Sequence, residues 1–284
     1  MKTPFLSIVI ANYNFGNLLS VAIESIIQQD CQDYEIIIVD GGSKDNSVDV
    51  IKKYERFISW WVSEPDKGQT NAFNKGFAHA KGDFFTWLNA DDILLPGTIS
   101  ALKRTILKNP TADFVTGNMV RFNEVDHKIC EAAWGPHCLP RFLQGQGRPL
   151  GIYGPTTFWK KSVYEKLGPL DESLYYVMDT EYWWRMVMAG CHQVRVNHYC
   201  WGFRMHINSK TAFEMDLMHK EKLTKESRYI ENKTGFKTKR YWRYIGIFFR
   251  IIDLSLFKHI YNKYFVCGKN FQQYFNLRYQ VFPQ

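Results

Sequence analysis

The chain has six cysteines (31, 130, 138, 191, 200 and 267), and none forms a C-x-x-C pair or any other metal-ligand spacing. This excludes zinc-ribbon and thioredoxin-type sites and leaves ordinary thiols. A Gly-rich or Lys-rich triphosphate loop is also missing, which argues against nucleotidyl transfer from a triphosphate. Internal repeats and low-complexity tracts are absent. The first residues lack the basic start and apolar core of a signal peptide, so a reduced, cytoplasmic protein is expected. Acidic residues are scarce in one region only. Residues 236–284 carry nine Lys and Arg against the single acid Asp253, which accounts for the whole net charge of +8. Residues 1–235 are therefore neutral, and this uneven distribution excludes a general nucleic-acid footprint.

What is present is a strand and helix alternation. Leu6 to Ile10, Tyr34 to Val39, Ile58 to Val62 and Phe84 to Leu88 are apolar runs of strand length. Helical patterns separate them, from Leu18 to Ile27, Ser43 to Lys53 and Gln69 to Ala80. Such alternation predicts an α/β fold with a mostly parallel sheet flanked by helices, whose ligands bind beyond the carboxyl ends of the strands. Asp40 and the pair Asp91-Asp92 stand at such ends. Beyond Pro96-Gly97 a helix to about Lys108 and a strand at 113–116 are expected. The pattern then weakens to residue 160, where Gly, Pro and His accumulate between 135 and 156 and suggest loops around a site. Helices at 162–167 and 180–189 and a strand at 193–199 follow.

Two adjacent carboxylates at a strand end repel each other unless a cation neutralises them, and hard oxygen ligands suit Mg²⁺ or Mn²⁺ bridging to a diphosphate. An isolated Asp-Asp pair is equally a helix cap beside a solvated residue. The surrounding stretches add information: "SIVIANYNFGNLLSVAIESIIQQ", "YEIIIVDGGSKDNSVDVI", "SEPDKGQTNAFNKGFAHAKGDFFTWLNADDILLPG" and "LDESLYYVMDTEYWWRMVMAG". With these four in this order, the chain resembles the family-2 inverting glycosyltransferases of the GT-A fold, over roughly residues 5 to 210. The resemblance implies a nucleotide-sugar donor, usually a UDP-sugar, held with a divalent cation while an acceptor hydroxyl attacks the anomeric carbon. It also implies a role for each matching residue. Asp40 accepts a hydrogen bond from the base, Asp66 touches base or ribose, and Lys75 faces phosphate. Asp91 and Asp92 hold Mn²⁺ or Mg²⁺ and the ribose-diphosphate, with Asp92 the expected direct contact. His206 is a candidate third ligand. Asp179, in "MDTEYWWR", takes the position of the catalytic base. The chain departs from the family pattern at Asn71 and Met178, where an acid is usual.

In the tail, "KRYWRYIGIFFRIIDLSLFKHIYNKYF" sets Arg240, Arg243, Arg250 and Asp253 near one helical arc and Ile245, Phe249, Ile252 and Leu256 near another. Arg250 and Asp253 break any stretch of the roughly 20 apolar residues a span needs. Two readings follow: an interfacial helix on an anionic leaflet, or a helix packed on the body or on a second subunit. The sequence thus predicts a donor half at 1–100, an acceptor and catalytic-base half at 101–210, and a helical, basic, aromatic extension at 211–284. The expected enzyme is cytoplasmic and peripheral on the inner membrane face, extending a glycan or lipid-linked acceptor, with no nucleic-acid partner. A non-catalytic assembly subunit, motivated by Met178 and Asn71, and a nucleotidyltransferase or nucleotide-sugar hydrolase are the rival readings.

Overall fold

The computed structural model describes residues 3–134, 152, 154–207, 209, 217–234 and 255–282. Its strands are β1 (Leu6–Asn12), β2 (Tyr34–Asp40), β3 (Trp60–Ser63), β4 (Phe84–Asn89), β5 (Ile93–Leu94), β6 (Phe114–Asn123), β7 (Ile129–Ala133), β8 (Thr157–Lys160) and β9 (Gln193–Met205). The helices are α1 (Gly16–Ile27), α2 (Ser47–Lys53), α3 (Gln69–His79), α4 (Thr98–Lys108), α5 (Lys161–Leu167), α6 (Met178–Met188), α7 (Leu217–Thr234), α8 (Ser255–Phe265) and α9 (Phe271–Tyr274). All nine strands join one sheet in the order β3-β2-β1-β4-β8-β6-β9-β5, with β7 beside β6. Strands β1 to β4 are mutually parallel. Strand β8 runs antiparallel between β4 and β6, and β9 is parallel to β6.

Side-chain alternation explains why the first strands are apolar throughout. Ile8, Ile10, Ile36 and Ile38 point to the face covered by α1 and α4, packing with Leu19, Ile23 and Leu102. Their neighbours Val9, Ile37, Phe85 and Trp87 point to the other face, against Phe73 and Phe77 of α3 and Trp183 of α6. A sheet buried on both faces calls for apolar residues on both, and the exceptions Ser7, Glu35 and Thr86 are hydrogen-bonded within the fold. Gly76 lies so close to Val9 that a Cβ there would collide with it, so its missing side chain sets the close approach of α3 to β1. The register then aligns the strand ends, because Asn12 pairs with Asp40, Asp40 with Ser63, and Ala11 with Asn89.

Two expectations change. The strand expected at 113–116 runs on to Asn123 as β6 and forms a hairpin with β7, and β8 inserts between β4 and β6, while most of the loops expected at 135–156 lie outside the described residues. Strand β9 runs on to Met205, six residues past the expected end. Of the two readings of the tail, packing on the body describes its end: Val266, Phe271, Leu277 and Val281 are buried against Val120, Phe122 and Ile129 in a third core cluster. The arc containing Arg240, Arg243, Ile245, Phe249, Arg250, Ile252 and Asp253 lies outside the described residues. Among the described residues, no helix is long and apolar enough to cross a membrane.

Candidate active site

A cavity of about 940 Å³ opens at the carboxyl ends of β1, β2 and β4. That is near the upper end of the range for small-molecule sites and ample for a nucleotide-sugar-sized ligand. Asn12, Gly41, Asp66, Asn89 and Asp91 line it from the β1–β4 half, and Tyr175, Tyr176, Met178 and Asp179 from the start of α6. Trp201 and Phe203 of β9 and His219 of α7 complete the wall.

Asp40 does not line the cavity. It is fully buried, and it accepts hydrogen bonds from Asn12 Nδ2 (2.7 Å), Ser63 Oγ (2.6 Å), the Ser43 amide (3.0 Å) and Ser43 Oγ. Burial pushes its carboxyl up, but these donors together outweigh burial and hold it below the usual carboxylate value. Its work in the fold is to clamp the ends of β1, β2 and β3. Asp66 does line the cavity, beside Gly41, and its Oδ1 accepts from the Gly68 amide at 2.7 Å. A Cβ at Gly41 would come within 2.8 Å of Asp66 Oδ2, so the glycine leaves room for that carboxylate. Lys75 is directed elsewhere: its Nζ pairs with Glu64 at 2.7 Å and the residue is not part of the cavity wall.

The neighbouring aspartates part company. Asp91 lines the cavity, whereas Asp92 is 1% exposed and forms no part of the wall. The Asp92 oxygens accept from Asn89 Nδ2 (2.7 Å) and from the Arg204 amide (3.0 Å). Burial, and then the charge of Asp91, push the Asp92 carboxyl well above the ordinary range. Their repulsion is eased further by a cation that the sequence did not single out. Arg204 is completely buried, donates from Nε to the Asp91 carbonyl (2.9 Å) and from Nη2 to the Val281 carbonyl (2.9 Å), and lies 3.7 Å from Glu124. Its guanidinium stacks over Phe122 and Phe282.

His206 is buried behind Asp91, with its Nε2 3.0 Å from Asp91 Oδ2 and its ring edge-on to Phe15. Arg204 lies in β9 and His206 directly follows its last residue, Met205, so the two-residue spacing turns them to the same side. Among the described residues no three His, Cys, Asp or Glu side chains converge as a metal cluster. Asp91 and His206 nevertheless offer one carboxylate oxygen and one imidazole nitrogen side by side. An ion held there would take that oxygen and that nitrogen as ligands, a pair whose chemistry suits Mn²⁺, with His206 reaching it from behind the cavity wall.

Asp179 sits in the first turn of α6, where its Oδ1 accepts from the Thr180 amide at 2.6 Å. Glu181, two residues on, is buried and paired with Arg185 (2.9 Å) and Lys233 (2.8 Å), so it braces α6 against α7. Met178 packs into the wall and accepts from Thr70 Oγ1. A carboxylate reaches this turn from α7 instead. Glu226 accepts from three successive amides, Tyr175 (3.0 Å), Tyr176 (2.7 Å) and Val177 (3.3 Å), and so fixes the segment leading into Asp179. Glu226→Ala leaves those amides short of their acceptor, at about 1–3 kcal/mol for a buried group left unsatisfied. Turnover and the urea midpoint are expected to fall together while UDP binding holds. Unchanged values for both would make the contact incidental.

Residues 7–168 match the family model Glycosyl transferase family 2. The chain belongs to that family. Its sequence is 39% identical over 124 residues to an uncharacterised glycosyltransferase of Nostoc sp., covering 43% of this chain and 37% of that protein. The chain spans less than two thirds of the length of the curated relatives it matches first. In structure it is similar to Staphylococcus aureus TarS 1–349 in complex with UDP-GlcNAc, with a TM-score of 0.56 and 14% identity, covering 77% of this chain and 64% of that one. It is likewise similar to the mannosyltransferase PcManGT from Pyrobaculum calidifontis in complex with GDP-Man and Mn²⁺, with a TM-score of 0.55 and 13% identity, covering 93% and 88%. The mixed, mostly parallel sheet flanked by helices is the GT-A fold of these structures.

Proposed function

We propose that this family-2 protein is a metal-assisted, inverting glycosyltransferase that moves a sugar from a UDP-sugar to a hydroxyl of a glycan or lipid-linked acceptor. It works in the cytoplasm against an anionic membrane face. One observation carries this reading: Asp66, Asp91 and Asp179 face one cavity from three different elements. Asp66, an acceptor-only group beside Gly41, suits the imide N–H of uracil. Asp40 acts indirectly, by fixing the strand ends beneath Gly41. Asp91 and His206 would hold Mn²⁺ or Mg²⁺, which would neutralise charge on the departing diphosphate. Asp92 supports Asp91 from below and does not itself touch the ion, and Lys75 has no part in phosphate binding.

On the opposite wall, Asp179 takes the proton of the attacking hydroxyl, with Tyr175 and Tyr176 as flat surfaces for the acceptor sugar. Attack from the side opposite the leaving nucleotide inverts the anomeric centre. The division of labour is thus donor binding by residues 1–100 and proton removal by 101–210, with His206 reaching back to the donor side and residues 217–234 and 255–282 of the extension at 211–284 bracing α6 and β9. A non-catalytic subunit with the same cavity would bind UDP but release no product, so transfer by purified protein separates the two readings.

Donor choice is tested by thermal melting. UDP is expected to raise Tm more than GDP in the presence of Mn²⁺, and Asp66→Ala to remove the difference. Asp91→Asn is expected to abolish the Mn²⁺-dependent part of the shift, while Asp92→Asn keeps most of it. Equal shifts with UDP and GDP would count against a uracil site. An inert Asp91→Asn paired with a defective Asp92→Asn would restore Asp92 as the metal contact.

A further inference from the structure

Helix α8 is amphipathic the wrong way round for a helix facing water. At 100° per residue, Phe257, Ile260, Tyr261 and Tyr264 fall within an arc of about 100°. All four are exposed, from 47% at Ile260 to 71% at Tyr264, and Phe265 beside them is 60% exposed. The side turned to the protein carries polar anchors. Asn262 is buried, donates to the Ala132 carbonyl (3.0 Å) and accepts from the Tyr199 hydroxyl (2.8 Å), and Lys258 Nζ lies 3.7 Å from the centre of the Trp134 ring. With Val266 buried one turn beyond Asn262, the helix cannot rotate its aromatic arc inward without breaking these contacts. A surface helix normally shows the reverse pattern, and a contiguous exposed apolar patch marks an interaction site.

The charges around the arc select its occupant. Lys258, Lys263, Lys269 and Arg278 lie between residues 254 and 284, a stretch with no Asp or Glu. The acid near this helix, Glu131 of β7, is paired with Arg121 at 2.8 Å. A second copy meeting this face would bring cations against cations with no acid from residues 254–284 to balance them. An anionic lipid surface offers the complementary charge, and tyrosines with a ring inside and a hydroxyl in water suit the headgroup level.

We infer that the Phe257, Ile260, Tyr261 and Tyr264 face of α8 is the surface by which this enzyme docks, without spanning, on an anionic bilayer. The inference deepens the proposal of a membrane-face enzyme and rests on that part of it alone. Docking couples a shallow apolar contact to electrostatic attraction, and neither needs nucleotide or metal.

The test uses the full chain and its variant carrying Phe257→Ser, Ile260→Ser, Tyr261→Ser and Tyr264→Ser. Sedimentation is measured with phosphatidylcholine vesicles containing phosphatidylglycerol, and with phosphatidylcholine alone. All four side chains are exposed, so Tm and the UDP-induced shift should match those of the unaltered chain. The double variant Tyr261→Ser, Tyr264→Ser guards against a folding defect in the quadruple one. The unaltered chain is expected to bind the anionic vesicles, less tightly as salt rises, and the quadruple variant to bind about 100-fold more weakly. Undiminished binding of both variants would overturn the inference, as would an unaltered chain that binds neither vesicle. Concentration-dependent dimers lost in the variant, without vesicle binding, would assign the face to a second copy. Failure of UDP recognition would leave the vesicle result unaffected, so the two proposals fail separately.

Discussion

Asp179→Asn is expected to lower turnover by about 10²- to 10⁴-fold, the usual worth of general-base help, while UDP affinity stays nearly constant. The substitution keeps the shape of the side chain and removes its capacity to take a proton. Asp179 starts α6, where the helix dipole and the Thr180 amide favour the ionised form that a base needs at neutral pH. It lines the same cavity as Asp91 but from another wall. Glu181 cannot stand in, because it is buried and its two oxygens are committed to Arg185 and Lys233. Initial rates with a UDP-sugar, a UDP titration and the anomeric configuration of the product by NMR check the assignment. Near-normal turnover in Asp179→Asn, or a product retaining the donor's configuration, would remove Asp179 from the role of base.

The parts of this site that are legible in the sequence are those with a local signature. Strands β1 to β4 read clearly because a parallel sheet covered on both faces demands unbroken apolar runs, and the punctuation after them located Asp40, Asp66 and Asp91 at strand ends. Orientation is less legible than position. Asp91 and Asp92 are adjacent, and which one turns inward is decided by β5, whose Ile93 and Leu94 pair with Gly202 and Trp201 more than 100 residues away. The same non-local pairing brings Arg204 under the turn. No pattern within ten residues of Arg204 announces that its charge will be buried. Lys75 is a further case in which the local motif does not reveal the contact: the motif match suggests phosphate, and Glu64 eleven residues away pairs with it in the structure. Glu226 lay in a helix with ordinary surface composition, so only packing reveals that its carboxylate faces inward.

The tail follows the same logic. Its composition left two readings open, an interfacial helix on an anionic leaflet and a helix packed on the body or on a second subunit. The packing ties residues 255–282 to β6, β7 and β9. Aromatics of both kinds occur there, Phe271 buried and Phe257 exposed, and hydrophobic content alone does not tell a core contact from a surface one. What separates them is the partner, and the partner is distant in sequence.

Arg204→Met is expected to destabilise the fold by about 3–5 kcal/mol, the scale for removing one partner of a buried ionic network. Methionine retains part of the volume, so the loss reports the missing charge and its hydrogen bonds more than a cavity. The Asp91 carbonyl and the Val281 carbonyl both lose a donor, Asp91 and Asp92 lose a nearby cation, and Glu124 loses its partner. Since Asp91 faces the cavity, Mn²⁺-dependent UDP stabilisation is expected to disappear with the stability. Truncation after residue 254 should reproduce both effects without touching Arg204. It removes the Val281 carbonyl and the Phe282 ring that receive the guanidinium, and it uncovers Phe122 and Val120 by deleting Phe271 and Val266. The two changes act on one cluster, so combining them should cost clearly less than the sum of the separate losses. Urea unfolding of the three variants measures that coupling. A truncated chain with an unshifted midpoint and a full UDP response would show that the C-terminal segment merely rests on the body, and additive losses would show that Arg204 and the segment stabilise the fold independently.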